Sequence, residues 1–185
     1  AVLFLNQPTL LIDALAGDDD IVVRAPAPNS AVWNVQLTVA GGSPAAETGD
    51  QGDVLEYESP GQQTVTYTPG AIPGTGVIND LTLGTSITIA QFLCPVDNLP
   101  SSAGSIERLI LDGEGGNDNV TIIGTAGADT IAQTPGSAID SGFLRVNNLL
   151  GLTYEDLGAG AVLAIDGAGA TDTVLSLRQL VAELN

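Results

Sequence analysis

The segment LILDGEGGNDNV at 109–120 can be laid over LAIDGAGATDTV at 163–174, 54 residues further on, with Leu, Asp, Gly, Gly, Asp and Val in shared positions. A third version, LLIDALAGDDDIV, occupies 10–22. In each, an apolar residue precedes an aspartate, a second aspartate follows six residues later, and an apolar residue stands two beyond that. The pairs are Asp13/Asp19, Asp112/Asp118 and Asp166/Asp172. A weaker copy near 55–66 has Glu58 in the first acidic position and Thr64 in the second. Glycine and aspartate turn a chain, and the β-branched residues beside them favour strands. One strand–corner–strand unit cannot bury both of its faces, so such units must stack on one another.

The pattern predicts an all-β protein, a parallel β-solenoid of the β-helix or β-roll kind, forming one domain over 1–185. The period of about 54 residues is too long for one coil, so each unit spans two or three turns. The copies lie near 10–22, 55–66, 109–131 and 163–174, and the stretch 24–108 matches least. That middle stretch reads as irregular coils, long loops or a sandwich-like insert. VWNVQLTVAGG (32–42), QTVTYTPG (63–70), LTLGTSITIA (81–90), VTIIG (120–124) and VNNLLGLTY (146–154) read as strands between turn residues. The one plausible helix is LSLRQLVAEL at 175–184.

Charge narrows the function. Against 22 acids stand four arginines, with no lysine and no histidine, for a net charge of −18. Such a surface repels nucleic acid and anionic membranes, and it repels itself on folding. Cations are the natural neutralisers. No apolar run approaches the roughly 20 residues of a membrane-spanning helix, so no membrane insertion is expected. Histidine-based hydrolytic triads, the usual zinc and copper sites and lysine-bearing phosphate loops all lack their residues. A calcium-dependent polysaccharide lyase would need a basic proton acceptor, for which Arg108 beside Glu107 is the candidate, but the chain is not expected to be an enzyme. Cys94 is a lone, small buried hydrophobe on this reading, and Trp33 a packing residue. The chain begins at Ala1 and holds no methionine, which suits a mature secreted protein or a fragment of a longer one.

The crowding of acids at turns has a chemical rationale. Glycine admits the backbone angles of a tight corner, and aspartate or asparagine adds a hard oxygen on a short side chain. Calcium takes six to eight oxygens from carboxylates and carbonyls. Asp-Gly clusters also make ordinary turns with no metal. Asp13, Asp112 and Asp166, which precede the turns, read equally as second ligands or as acceptors for the corner's own N–H groups.

GEGGNDNV at 113–120 and GTAGADTI at 124–131 resemble the haemolysin-type, or RTX, repeat G-G-x-G-x-D-x-U-x. The resemblance implies calcium held at the glycine-rich corners of a right-handed parallel β-roll or wider β-solenoid. By position, Asp118, Asp129, Asp172 and Asp19 match the ligand aspartate, and Val120, Ile131, Val174 and Ile21 the apolar position that enters the core. Gly113, Gly116, Gly124, Gly127 and Gly167 match turn glycines, and Asn117 adds a further oxygen. Asp118 and Asp129 are 11 apart where that family repeats every nine, and Glu114, Thr125 and Ala168 replace a glycine. The 109–174 unit is similar to degenerate Asp/Gly repeats of very large bacterial surface proteins.

The expected metal set is therefore Asp13, Asp19, Asp112, Asn117, Asp118, Asp129, Asp166 and Asp172, with Ca2+ as the cofactor. The expected role is a secreted structural unit at a bacterial surface or in extracellular matrix. Its expected partners are copies of itself, head to tail or in a tandem array, because the apolar start AVLFLN and the end after VLSL show no polar cap. The alternative is an adhesin module for a glycan or surface receptor.

Overall fold

A computed structural model describes residues 9–15, 17–25, 35–42, 52–90 and 106–176. Trp33, Cys94, the AVLFLN start and residues 177–184 of the expected helix lie outside the described residues, while Leu175 and Ser176 close a strand. The described chain is all-β: fourteen strands in two mixed sheets of seven. In chain order these are β1 (Thr9–Asp13), β2 (Asp20–Arg24), β3 (Gln36–Ala40), β4 (Val54–Glu58), β5 (Thr64–Pro69), β6 (Gly76–Asp80) and β7 (Thr85–Ile89). There follow β8 (Arg108–Asp112), β9 (Asn119–Ile123), β10 (Thr130–Pro135), β11 (Gly142–Val146), β12 (Leu152–Glu155), β13 (Val162–Asp166) and β14 (Thr173–Ser176).

The first sheet runs β1-β3-β7-β6-β5-β9-β13 and the second β14-β10-β11-β12-β8-β4-β2. The chain crosses from one to the other at nearly every corner. It stays within a sheet only for two antiparallel meanders, β5–β6–β7 in the first and β10–β11–β12 in the second. All other neighbours pair in parallel. The sheets are thus mixed rather than uniformly parallel. The segment VNNLLGLTY is not one strand: Asn147 takes φ 51° and its N–H reaches the Thr130 carbonyl at 2.8 Å, so 147–151 turns the chain between β11 and β12.

The meanders repeat a turn that the Asp/Gly comparison does not reveal. Thr68-Pro69-Gly70 leads to Thr75-Gly76, and Thr134-Pro135-Gly136 leads to Ser141-Gly142. In both, the glycine N–H donates to the carbonyl five residues on, Gly70 to Thr75 at 2.8 Å and Gly136 to Ser141 at 2.9 Å. A Cβ on either glycine would lie about 2 Å from the hydroxyl of Thr75 or Ser141, so the side chain needs glycine's open space. The plan of strand, corner, strand, corner, meander therefore occurs twice, with the sheets exchanged. Accordingly the 54-residue repeat carries Asp112 in the second sheet onto Asp166 in the first.

Alternation places one side of each strand inward. β5 buries Val65, Tyr67 and Pro69 and half-exposes its threonines. Leu55 and Tyr57, Leu109 and Leu111, and Leu152 and Tyr154 from the second sheet join Val65, Tyr67, Ile87, Ile89, Val120 and Ile122 from the first in one core. Two tyrosine hydroxyls inside it are satisfied: Tyr57 donates to Asp80 Oδ2 and Tyr67 to the Leu150 carbonyl, both at 2.8 Å. Asp80 accepts also from the Thr82 and Leu83 N–H groups.

Ile122 is fully buried in this core. Ile122→Ala is expected to cost about 2–5 kcal/mol in urea unfolding, whereas Leu81→Ala, 61% exposed on a hairpin turn, should stay within about 0.5 kcal/mol. Equal losses at the two sites would contradict this core.

Candidate functional site

Because the parallel strands of each sheet share one direction, the crossings between sheets form two rims. One rim holds the crossings that leave the first sheet: β1 to β2, β3 to β4, β7 to β8, β9 to β10 and β13 to β14. The other holds those that leave the second sheet, including β4 to β5, β8 to β9 and β12 to β13. Asp13, Asp19, Asp129, Asp166 and Asp172 lie on the first rim; Asp112, Asn117 and Asp118 lie on the second. Asp118 and Asp129 are separated by the whole of β9, roughly 16 Å of strand. The two corners of GEGGNDNVTIIGTAGADTI therefore do not stack on each other.

The strand-end aspartates act alike. Asp13 Oδ1 accepts the Leu15 N–H at 3.3 Å, Asp112 Oδ1 that of Glu114 at 2.8 Å, and Asp166 Oδ1 that of Ala168 at 3.0 Å. Leu15, Glu114 and Ala168 all take positive φ, at 75°, 47° and 59°. The aspartate holds the non-glycine residue two places on in the left-handed conformation, which short local hydrogen bonds make tolerable.

The second aspartates reach between neighbouring rungs. Asp53 Oδ1 accepts the Asp19 N–H at 2.9 Å, Asp118 Oδ1 that of Gln63 at 2.7 Å, and Asp172 Oδ1 that of Asp129 at 2.9 Å. Glu107 Oε2 takes the Asp53 N–H at 2.7 Å in the same way. Each carboxylate so caps the backbone of the rung before it. The reverse bond runs beside it, from the Val54 N–H to the Asp19 carbonyl, Asn119 to Gln63, and Thr173 to Asp129, at 2.8–2.9 Å. Asp53 and Glu107 are the site residues that the Asp/Gly pattern misses, since no aspartate stands six residues before either; their position just before a strand was the available signal.

The other carboxylate oxygen folds over a glycine. A Cβ on Gly113 would stand 2.3 Å from Asp118 Oδ2 and 2.9 Å from the Asp156 carbonyl. Gly41 and Asp53, Gly124 and Asp129, and Gly167 and Asp172 make the same close approach. At Asp129 the oxygens find donors in the Thr125 N–H and hydroxyl and in Asn147. These donors outweigh burial, which alone would raise the Asp129 carboxyl, and hold it below its usual value. Asp19, Asp53 and Asp118 each keep a buried Oδ2 with no donor, and Gln63 keeps a buried Oε1 likewise. Burial pushes the Asp118 carboxyl up to about 6, with Asp80 and Asp112 adding to the rise and the Gln63 N–H opposing it. Burial raises Asp53 also; the Asp19 N–H opposes, and Glu107, Asp19 and Asp18 add to the rise. Buried acceptors without donors are costly, and an all-oxygen set suits a hard cation such as calcium.

A separate acidic group lies on the second sheet. Carboxylate oxygens of Glu56, Asp112 and Glu155, on β4, β8 and β12, lie within 4.8 Å of one another. Burial raises the Glu56 carboxyl, with Glu58, Asp112 and Glu155 adding to the rise. Glu58, in register with Asp112, is instead held low by its ion pair with Arg24. Arg108 lines a depression of about 280 Å³ together with Ile106, Glu107, Leu109, Phe143 and Arg145. No protein-family profile matches the chain, and no curated protein or solved structure matches it either.

Two outcomes follow from these corners. Gly113→Ala should cost more than Gly115→Ala, which meets nothing within 4 Å and bears only left-handed strain at φ 77°, worth about 1–2 kcal/mol; equal costs in urea titration would dismiss the carboxylate–glycine contact. The Asp118 pKa is raised in the fold from 3.8 to about 6. Its contribution is full below 3.8 and lost as pH rises through about 6. In calcium-free buffer, wild-type stability minus that of Asp118→Asn should fall over this window; a difference that is flat or rises would refute the assignment.

Proposed function

We propose that the chain is a secreted, calcium-binding structural unit wound as a broad β-solenoid, which associates head to tail with copies of itself at a cell surface or in extracellular matrix. The observation that carries this reading is the set of buried carboxylate oxygens without donors, on Asp19, Asp53 and Asp118, at the corners between rungs. A cation supplies what the protein omits there. Asp118 Oδ2 beside the Asp156 carbonyl on one rim, and the Oδ2 atoms of Asp19 and Asp53 on the other, are the oxygens that would take part. Parallel neighbours whose chain crosses between sheets at successive corners favour the solenoid winding, and a net charge of −18 makes divalent cations the natural counter-ions. The likeness of GEGGNDNV and GTAGADTI to haemolysin-type repeats agrees with calcium in particular.

Binding to the folded state alone stabilises by about 2.7 kcal/mol at a hundredfold excess over Kd. Calcium at such a level should therefore raise Tm by about 5 °C or more relative to chelator. Magnesium should do less, and Asp118→Asn should reduce the calcium increment while Glu114→Gln, exposed in the same corner, should not. A melting curve indifferent to calcium would end the metal-binding reading.

A further inference from the structure

We infer that the β1–β2 end of one copy docks on the β13–β14 end of the next, in the register that sets Asp13 against Asp166 and Asp19 against Asp172. The inference rests on the self-associating reading above and names the surface that performs it. Among the described residues the outermost strands at one end of the two sheets are β1 and β2, and at the other β13 and β14. Through the parallel pairings and the two meanders, β1 runs in the same direction as β13, and β2 as β14. A second copy can therefore continue both sheets at once. A heterologous contact of this kind need not close, and repeats as a filament.

Three observations agree on the register. First, the corners match: Asp13 and Asp166 each hold the residue two places on in the left-handed conformation, and Asp19 and Asp172 each stand just before the next strand. Second, the hydrogen bonds are complementary. Along this rim each carboxylate caps the preceding rung, Asp172 to Asp129 and Asp53 to Asp19. Among the described residues Asp172 is the last such rung and Asp19 the first, and it is Oδ1 that caps in each pair. In the proposed register the Asp172 N–H donates to Asp19 of the next copy, and the next copy's Asp20 N–H donates to the Asp172 carbonyl, as Thr173 does to Asp129. Third, the core-facing residues line up. Leu163 and Ile165 continue the columns of Val120 and Ile122, while Leu10 and Ile12 begin those of Leu37 and Val39. Val174 continues Ile131, and Ile21 begins the column of Leu55. The contact sets Leu163 on Leu10, Ile165 on Ile12 and Val174 on Ile21. It also covers the core-facing Val174, which is 54% exposed in the single chain, at the kind of open sheet edge that soluble proteins normally shield.

The register is tested by disulfide trapping in a Cys94→Ala background. Ala164 and Leu11 flank the core-facing residues of β13 and β1, so both point outward, and they become direct partners. Facing parallel partners lie within disulfide reach. Ala164→Cys and Leu11→Cys proteins, mixed with calcium and oxidised, should form a disulfide dimer that neither forms alone. Pairing Ala164→Cys with Thr9→Cys, two residues out of register, should yield about tenfold less. Asp19→Ala should weaken association of the full chain about tenfold or more, measured by sedimentation. If wild-type protein assembles but the mixed pair gives no dimer, or Ala164→Cys alone cross-links as well, the docking geometry is wrong while self-association stands. Wild-type protein that sediments as a monomer with and without calcium ends both.

Discussion

A carboxylate that caps the backbone N–H of the neighbouring rung is the interaction on which this architecture depends. Strands in a sheet satisfy one another, but a corner leaves the ladder, and its N–H groups need other acceptors. Asp53, Glu107, Asp118 and Asp172 supply them from the adjacent rung. The strand-end aspartates Asp13, Asp112 and Asp166 serve the same need within their own corner. Glycines beside them leave room for the second oxygen. The recurrence of Asp and Gly at six-residue spacing is thus the signature of a backbone accounting problem solved identically at several corners.

That solution concentrates charge. Carboxylates on successive rungs stand one above another, and some retain oxygens shut off from water and from donors. Asp129 shows the alternative, a corner in which Thr125 and Asn147 satisfy both oxygens and keep the group ionised. The contrast between Asp129 and Asp118 is one of donors, and it separates a corner complete in itself from one that keeps a buried oxygen without a donor.

The two meanders determine how the rims are built. Each inserts two extra strands into one sheet, so the corner rungs on a rim are not evenly stacked: Asp19, Asp53 and Glu107 form one group and Asp129 and Asp172 another. Because the meanders fall in opposite sheets, both sheets reach seven strands and end together. Among the described residues the outermost strands at each end therefore finish with the same corner design.

Much of this was written in the residues. Alternating Val, Ile and Thr between Gly, Pro and Asp clusters determined an all-β chain, because period-two burial and turn chemistry are local properties. The six-residue aspartate spacing marked the corners for the same reason. What the residues alone did not decide was which corners meet. Asp118 and Asp129 are 11 residues apart in sequence yet lie on opposite rims, while Asp129 and Asp172 are hydrogen-bonded across 43. Glu107 joined the site although its surroundings carry no Asp/Gly motif, and the hairpins at 68–76 and 134–142 became counterparts although they sit in different sheets. Strand direction and sheet order set these relations, and both arise from long-range pairing, which only the tertiary structure decides.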